Sequence, residues 1–260
     1  MGPFHTQVAI ISGGLGDIGY AIGQELGGLG ARIAIGDLLE EDHCDVGERL
    51  AELRSKQIEV RYSKVDVSRE DEVARWLERT TEQLGTPTLI IPNAGIVTVR
   101  LGLEIGMEQL QHELDVNVKG AFCLAQLGAR QLKRERRAGK IVFIGSWAGH
   151  SAHIQSPAYC ASKAAVRSLC RCLARELAPD GILVNEVAPG AVDAGLVKKI
   201  FTRNPGMREE AVKNIPVGSF IQAEEVAWQV AHLCHPRNRN MTGSVVVVDG
   251  GLSLTDAYTS

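Results

Sequence analysis

The stretch Gln7–Leu29, QVAIISGGLGDIGYAIGQELGGL, decides the fold. Gln7 to Ser12 form a short apolar run, and Gly13, Gly14, Gly16 and Gly19 follow at once. From Asp17 to Leu29 the pattern fits a helix. Strand, glycine-rich turn and helix in this order open a βαβ unit. Glycines in such a turn let backbone N–H groups approach a pyrophosphate at a helix N-terminus, where the dipole favours an anion. They also suit a tight turn with close helix packing.

The alternation continues outward from this unit. Arg32–Asp37, Glu59–Asp66, Thr88–Pro92, Ile141–Ile144, Leu183–Val187 and Ser244–Val248 read as strands. Between them Glu41–Lys56, Arg69–Leu84, Glu108–Leu132, a segment from Pro157 through Tyr159 to Leu177, and Glu224–Cys234 read as helices. Strands this apolar, separated by helices, predict a Rossmann-like, doubly wound, seven-stranded parallel sheet covered on both faces. Residues 1–260 are expected to form a single domain, with a substrate lid at about 191–222, an excursion too long for a simple connection. The basic run Lys133–Lys140, KRERRAGK, reads as a solvated helix end capped by Gly139 rather than a nucleic-acid patch.

Composition bounds the function class. The chain is 45% apolar with a net charge of -3, ordinary values for a globular chain. No apolar run reaches the roughly 18 residues of a membrane helix, and the start MGPFHTQVAIIS lacks a signal-peptide pattern, so a cytoplasmic location is expected. The six cysteines contain no CxxC pair and read as reduced, mostly buried thiols; no metal site is expected.

The chemistry concentrates in Ser146–Lys163, SWAGHSAHIQSPAYCASK. If Pro157 opens a helix, where its missing N–H costs nothing, Tyr159 and Lys163 stand side by side at i and i+4. A free phenol titrates near about 10, so it is a poor base at neutral pH unless a neighbouring cation stabilises the phenolate. Lys163 is the local cation, and Ser146 at a strand end is placed to hold a substrate oxygen while Tyr159 exchanges its proton. The pair also fits an ordinary exposed pair on a helix. Asp37, a little under about 20 residues beyond Gly19, suits the ribose hydroxyls of NAD and would repel the 2′-phosphate of NADP; it also suits an N-cap.

The glycine turn, Asn93-Ala94-Gly95, Asn117, Ser146, Tyr159-x-x-x-Lys163 and Pro189-Gly190 together resemble the short-chain dehydrogenase/reductase family in its short single-domain branch, over roughly residues 7 to 252. The resemblance implies an NAD-dependent enzyme acting on CH–OH groups. It makes Tyr159 the acid/base, Lys163 its pKa-lowering and ribose-binding partner, Ser146 the orienting hydroxyl and Asn117 the holder of a relay water. It implies cofactor contacts at Ser12, Gly13, Gly16, Asp17, Ile18, Gly19 and Asp37, at Asp66 and Val67 near the adenine, at Asn93, Ala94 and Gly95, and at Pro189, Gly190 and Val192 on the nicotinamide side. Tyr159 and Lys163 count among these contacts too.

Departures from the family pattern fall at Asp17, where a glycine is usual, at Ala194, where a threonine is usual, and at Pro92. Asp17 reads as a helix cap that would cost pyrophosphate affinity. Trp147, His153 and Asp193, with Ser146, are the candidate substrate contacts, joined by His150 and by the lid cations Lys198, Lys199, Arg203 and Arg208. They suit a small polyol, sugar or hydroxy acid. The alternatives are a 3-oxoacyl thioester reductase of the same family, an extended epimerase or dehydratase, and a non-catalytic NAD-sensing regulatory protein. Apolar residues around the later helices (Phe122, Leu124, Leu127, Val166, Leu169) and the family habit point to a homotetramer, with a small-molecule alcohol or ketone as partner and neither nucleic acid nor membrane.

Overall fold

The computed structural model describes residues 2–195 and 205–254. Its strands are β1 (Val8–Ser12), β2 (Arg32–Asp37), β3 (Val60–Lys64), β4 (Leu89–Ile91), β5 (Gly139–Ile144), β6 (Ile182–Pro189) and β7 (Val245–Val248). They form one sheet in the order β3-β2-β1-β4-β5-β6-β7, with every pairing parallel. The chain enters at the centre, winds outward through β2 and β3, returns beside β1 at β4 and winds out the other way. That reversal opens a crevice at the carboxyl ends of β1 and β4.

The helices are α1 (Asp17–Gly28), α2 (Cys44–Ser55), α3 (Glu70–Leu84), α4 (Met107–Leu114), α5 (Ala121–Arg134), α6 (Pro157–Leu177), α7 (Pro205–Lys213) and α8 (Ala223–Cys234). Strand side chains alternate between two buried cores. Ala9, Ile11, Ile33, Ile35 and Val142 pack with Ile22, Leu26, Leu53, Val226 and Val230 from α1, α2 and α8. Ile10, Ala34, Ile90, Ile141 and Phe143 pack on the other face with Val73, Trp76, Leu124, Leu132 and Val166 from α3, α5 and α6.

Several local expectations are corrected. The region Glu108–Leu132 is not one helix: α4 passes into a π-helical turn, Asp115–Gly120, before α5. Such wider turns commonly present a side chain that a regular helix would aim elsewhere, and here the side chain is Asn117, buried against the β4 loop. The basic helix end is closed by Arg136, which takes a left-handed φ of 52°, while Gly139 opens β5 instead of capping. Of the six free cysteines only Cys123, Cys170 and Cys234 are buried; Cys44 and Cys172 are exposed. Leu124 and Val166, expected on oligomer-forming faces, lie in the chain's own core at 0% and 1% exposure.

The excursion after β6 is pinched at its base by a bridge between Val192 and Ile221 and contains α7, which the sequence pattern did not reveal. Lys198, Lys199 and Arg203 lie outside the described residues. Among the described residues, no helix is long and apolar enough to cross a membrane.

Candidate active site

At the carboxyl end of β1 the turn Gly13–Gly16 is locked to the β4 loop. Ser12 Oγ accepts the N–H groups of Asn93 and Ala94 at 3.0 and 3.1 Å, and Asn93 Nδ2 donates to the carbonyls of Ser12 and Gly13, both at 2.9 Å. Gly13 has φ +62°, and a Cβ there would stand 2.8 Å from Ala94 Cα, so glycine is required on both counts. The turn is thus fastened to the triplet Asn93-Ala94-Gly95 by the Ser12 hydroxyl, the Asn93 amide and backbone groups.

The residues at this crevice fit a dinucleotide. No side chain caps α1, whose N-cap is Gly16, so its first-turn N–H groups face the crevice end as an anion site requires. Asp37 does not cap α2, a role taken by His43. Its Oδ2 accepts Leu15 N–H at 3.0 Å and its Oδ1 accepts Leu38 N–H at 2.8 Å. Each oxygen keeps a lone pair for a hydroxyl. Asp66 is held by the Ser68 N–H and hydroxyl at 2.9 and 2.7 Å, with Val67 buried beside it. Asp17 is the first helical residue rather than a cap, and Arg49 approaches it at 3.2 Å. That cation offsets the carboxylate beside the anion site.

Ser146 emerges from β5 with extended backbone and caps a short 3₁₀ turn, Trp147–Gly149, accepting Ala148 N–H at 3.1 Å. Pro157 occupies the first turn of α6, which brings Tyr159 and Lys163 onto one face as expected. Burial pushes the Tyr159 phenol above its ordinary value, the Ser146 side chain pulls it down, and the charge of Glu113 pushes it up again. Lys163 is buried with Nζ 5.5 Å from the Tyr159 ring centre, and it donates to the Ile144 carbonyl at 2.9 Å. Burial pulls its ammonium down to about 8 against the opposing carboxylates of Glu186 and Glu113. Asn117 accepts Ile96 N–H and donates to the Ile96 carbonyl, both at 2.8 Å, and donates to Ser162 Oγ at 3.0 Å.

Beyond Ser146, the Trp147 and His153 rings pack at 4.4 Å between centres. Among the described residues His153 Nε2 is buried with no hydrogen-bond partner, and burial lowers the pKa of the ring. His150 instead contacts Arg167 Nη1 through Nδ1 at 2.8 Å. Asp193 receives a two-pronged ion pair from Arg208 at 2.9 and 2.5 Å, and Arg208 lies over the Phe220 ring at 4.9 Å. Arg208 therefore ties α7 to the loop after β6. Beyond Gly190, the loop from Pro189 to Val192 leads directly into that pair.

Three charged residues of this region were not found by pattern. Arg167 and Glu186 form a buried pair, and Glu113 is fully buried near Lys163. A signal existed for Glu186, a carboxylate inside the apolar strand Ile182–Pro189; Arg167 and Glu113 sit on helices where charge is unremarked.

The chain and its fold are similar to known proteins. The family model described as Enoyl-(Acyl carrier protein) reductase matches residues 14–253. A tropinone reductase homolog of Arabidopsis thaliana is 34% identical over 249 residues, covering 95% of this chain and 91% of the relative. The crystal structure of a short-chain type dehydrogenase/reductase from Mycobacterium marinum is similar with a TM-score of 0.89 at 31% identity, covering 96% of both chains. A variant of actinorhodin polyketide ketoreductase with NADPH gives a TM-score of 0.91 at 27% identity, covering 96% of this chain and 98% of that one. The chain belongs to the short-chain dehydrogenase/reductase family of oxidoreductases.

Proposed function

We propose that this protein is an NAD(H)-dependent oxidoreductase that interconverts a secondary alcohol and a ketone on a small hydroxylated substrate such as a polyol, sugar or hydroxy acid. The observation that carries the reading is the placement of Tyr159 and Lys163 on one face of α6, with the buried Lys163 Nζ 5.5 Å from the Tyr159 ring centre and bonded to the Ile144 carbonyl at the end of β5. Hydride exchange with the carbinol carbon is the chemistry that a bound nicotinamide supplies. Tyr159 takes the hydroxyl proton in oxidation and returns it to the carbonyl oxygen in reduction. Ser146, whose Oγ already accepts Ala148 N–H, keeps its own proton to donate to the substrate oxygen. Lys163 spends one N–H on Ile144 and retains two for a ribose hydroxyl and the phenolate side.

NAD is favoured over NADP by Asp37, followed by Leu38 and Leu39 rather than by a cation. A carboxylate suits two ribose hydroxyls and repels a 2′-phosphate. A small polar substrate is favoured by the partnerless His153 Nε2 against Trp147. We place the protein in the cytoplasm as a homotetramer formed through α5 and α6; light scattering that gave a mass near 28.0 kDa would reject the tetramer.

A 3-oxoacyl thioester reductase is the second reading. Val97, Val99, Leu101, Leu103 and Ile154 are exposed on two segments joined by the bond from Arg100 N–H to the Gln155 carbonyl at 2.7 Å, an apolar rim suited to an acyl chain. The deciding experiment measures kcat/KM for polyols, sugars, hydroxy acids and 3-oxoacyl thioesters, with each cofactor. A higher value for the thioesters replaces the first reading by the second.

A further inference from the structure

Asp17, the first residue of α1, reaches from the cofactor end of that helix to the segment that leaves β6: its Oδ2 accepts Gly195 N–H at 2.9 Å, from 178 positions along the chain. Gly195 takes a left-handed φ of +51°, which suits glycine. The rest of that segment is tied to its own excursion. Ile221 N–H donates to the Ala191 carbonyl at 3.1 Å, Asp193 N–H donates to the Ile221 carbonyl at 2.8 Å, and Arg208 holds the Asp193 side chain. The bond to Asp17 instead crosses to the turn whose glycines open the crevice. Beside it, Ala194 is buried in the core against which Leu15 and Ile18 of that turn also pack.

Two departures from the family pattern, Asp17 and Ala194, thus fall at one contact, Ala194 being next to Gly195. A glycine at position 17 would offer no acceptor to the Gly195 N–H. The carboxylate has a cost, since it stands in the first turn of α1, where a pyrophosphate would seat and like charges repel. Arg49 of α2 meets Oδ1 at 3.2 Å. Arg49 is itself fixed, its guanidinium over the Tyr20 ring at 4.2 Å and its carbonyl accepting the Tyr20 O–H at 3.3 Å. Tyr20 follows Asp17 by three residues, so the two side chains share one face of α1. The carboxylate therefore divides its oxygens, Oδ1 to a cation and Oδ2 to the segment after β6.

We propose that Asp17 is a positioning residue that pins the segment leaving β6 to the cofactor end of α1, while Arg49 cancels its charge so that a dinucleotide still seats beside it. The proposal deepens the reading of this crevice as a nicotinamide dinucleotide site and rests on it. The pin sets residues 189–195 before the cofactor arrives. Ordering a loop during binding lowers affinity, and a loop already held avoids that loss. The bond to Gly195 needs an acceptor on the side chain, whereas the repulsion of a pyrophosphate needs its charge. Substitution separates the two: asparagine keeps an acceptor and drops the charge, and alanine drops both.

The first test needs neither substrate nor cofactor. Amide hydrogen exchange at Gly195 is followed in the full chain by mass spectrometry with fragmentation to single residues, in the wild type, Asp17→Asn and Asp17→Ala. Exchange should be roughly two- to tenfold faster in Asp17→Ala and close to wild type in Asp17→Asn. Unchanged exchange in Asp17→Ala, or equal acceleration in both variants, overturns the pin. The second test is the dissociation constant of NADH, with NADPH in parallel, read by fluorescence. Asp17→Ala should bind about two- to tenfold more weakly than Asp17→Asn, because both lack the charge and only the second still holds the loop. Equal affinity in the two overturns the claim that the pin serves the cofactor. Arg49→Met should weaken binding by about two- to fivefold in the wild-type background and leave it unchanged in Asp17→Asn, where no charge remains to be cancelled. The same effect in both backgrounds, or none in either, overturns the part assigned to Arg49. A wild type that binds neither NADH nor NADPH would remove the dinucleotide reading while leaving the exchange result standing.

Discussion

Arg167 on α6 grips Glu186 on β6 from Nε and Nη2, at 3.0 and 2.8 Å, and the same Nη2 donates to the Ser146 carbonyl at 3.0 Å. The pair is buried, and it joins the helix that carries Tyr159 to the strand-end serine. Gly145 makes room for it: a Cβ there would stand 1.9 Å from Glu186 Oε1. Removing one partner of a buried ion pair strands the other. Arg167→Met should therefore lower stability by about 3–5 kcal/mol and reduce turnover through Ser146. Replacing both partners by apolar residues should cost less than either single change. Urea unfolding of the two singles and the double checks this; additive losses would contradict it.

Tyr159→Phe removes the proton carrier and little cofactor surface. Turnover should fall by about 10²–10⁴, the range for a lost acid/base, while NADH binding followed by fluorescence stays close to wild type. Near-normal turnover would sink the mechanism.

Asp37 anchors the glycine turn through Leu15 N–H in addition to its proposed part in choosing the cofactor. Asp37→Ala should narrow the preference for NAD over NADP, read as the ratio of kcat/KM values, and also lower stability slightly. A wild-type preference for NADP would refute the assignment.

His153 presents a buried Nε2 with no hydrogen-bond partner among the described residues. His153→Ala should raise KM for a polyol, sugar or hydroxy acid more than it lowers kcat, the pattern of lost ground-state binding. If both constants are unchanged, His153 is not a substrate contact.

Burial pushes Cys170 and Cys234 from 9.0 up to about 12. The unfolded chain then loses these protons first, so it binds fewer protons than the native state between pH 9 and about 12. Stability contributed by each neutral thiol is present below pH 9 and is lost as pH rises, with a slope of about 1.4 kcal/mol per pH unit for each. Chemical unfolding across this range should show a shallower fall for Cys170→Ala combined with Cys234→Ala. An equal slope in the double variant would assign the alkaline loss elsewhere.

Much of the site was legible because its parts are local. Pro157, Tyr159 and Lys163 share one helix, so spacing alone put the phenol and the ammonium on one face. Asp37 and the glycine turn were readable because each ends a strand, and the ends of adjacent parallel strands converge. The interruption of Glu108–Leu132 was not legible, since its apolar spacing resembles a regular helix. The π turn becomes apparent only once Asn117 meets Ile96 and Ser162, one on the β4 loop and one on α6.

The sequence by itself determined the sheet, its parallel sense and the residues gathered at its carboxyl edge, because hydrophobic periodicity and glycine placement act over a few residues at a time. Only the tertiary structure decided where the charges went. Arg49 met Asp17, Arg167 met Glu186, Arg208 met Asp193, and Glu113 was enclosed away from solvent. Each of these depends on which elements pack together, and a charge carries no periodicity that announces its partner. Burial then sets its energy, because the cost of a charge depends on the solvent and counter-charges that packing leaves beside it.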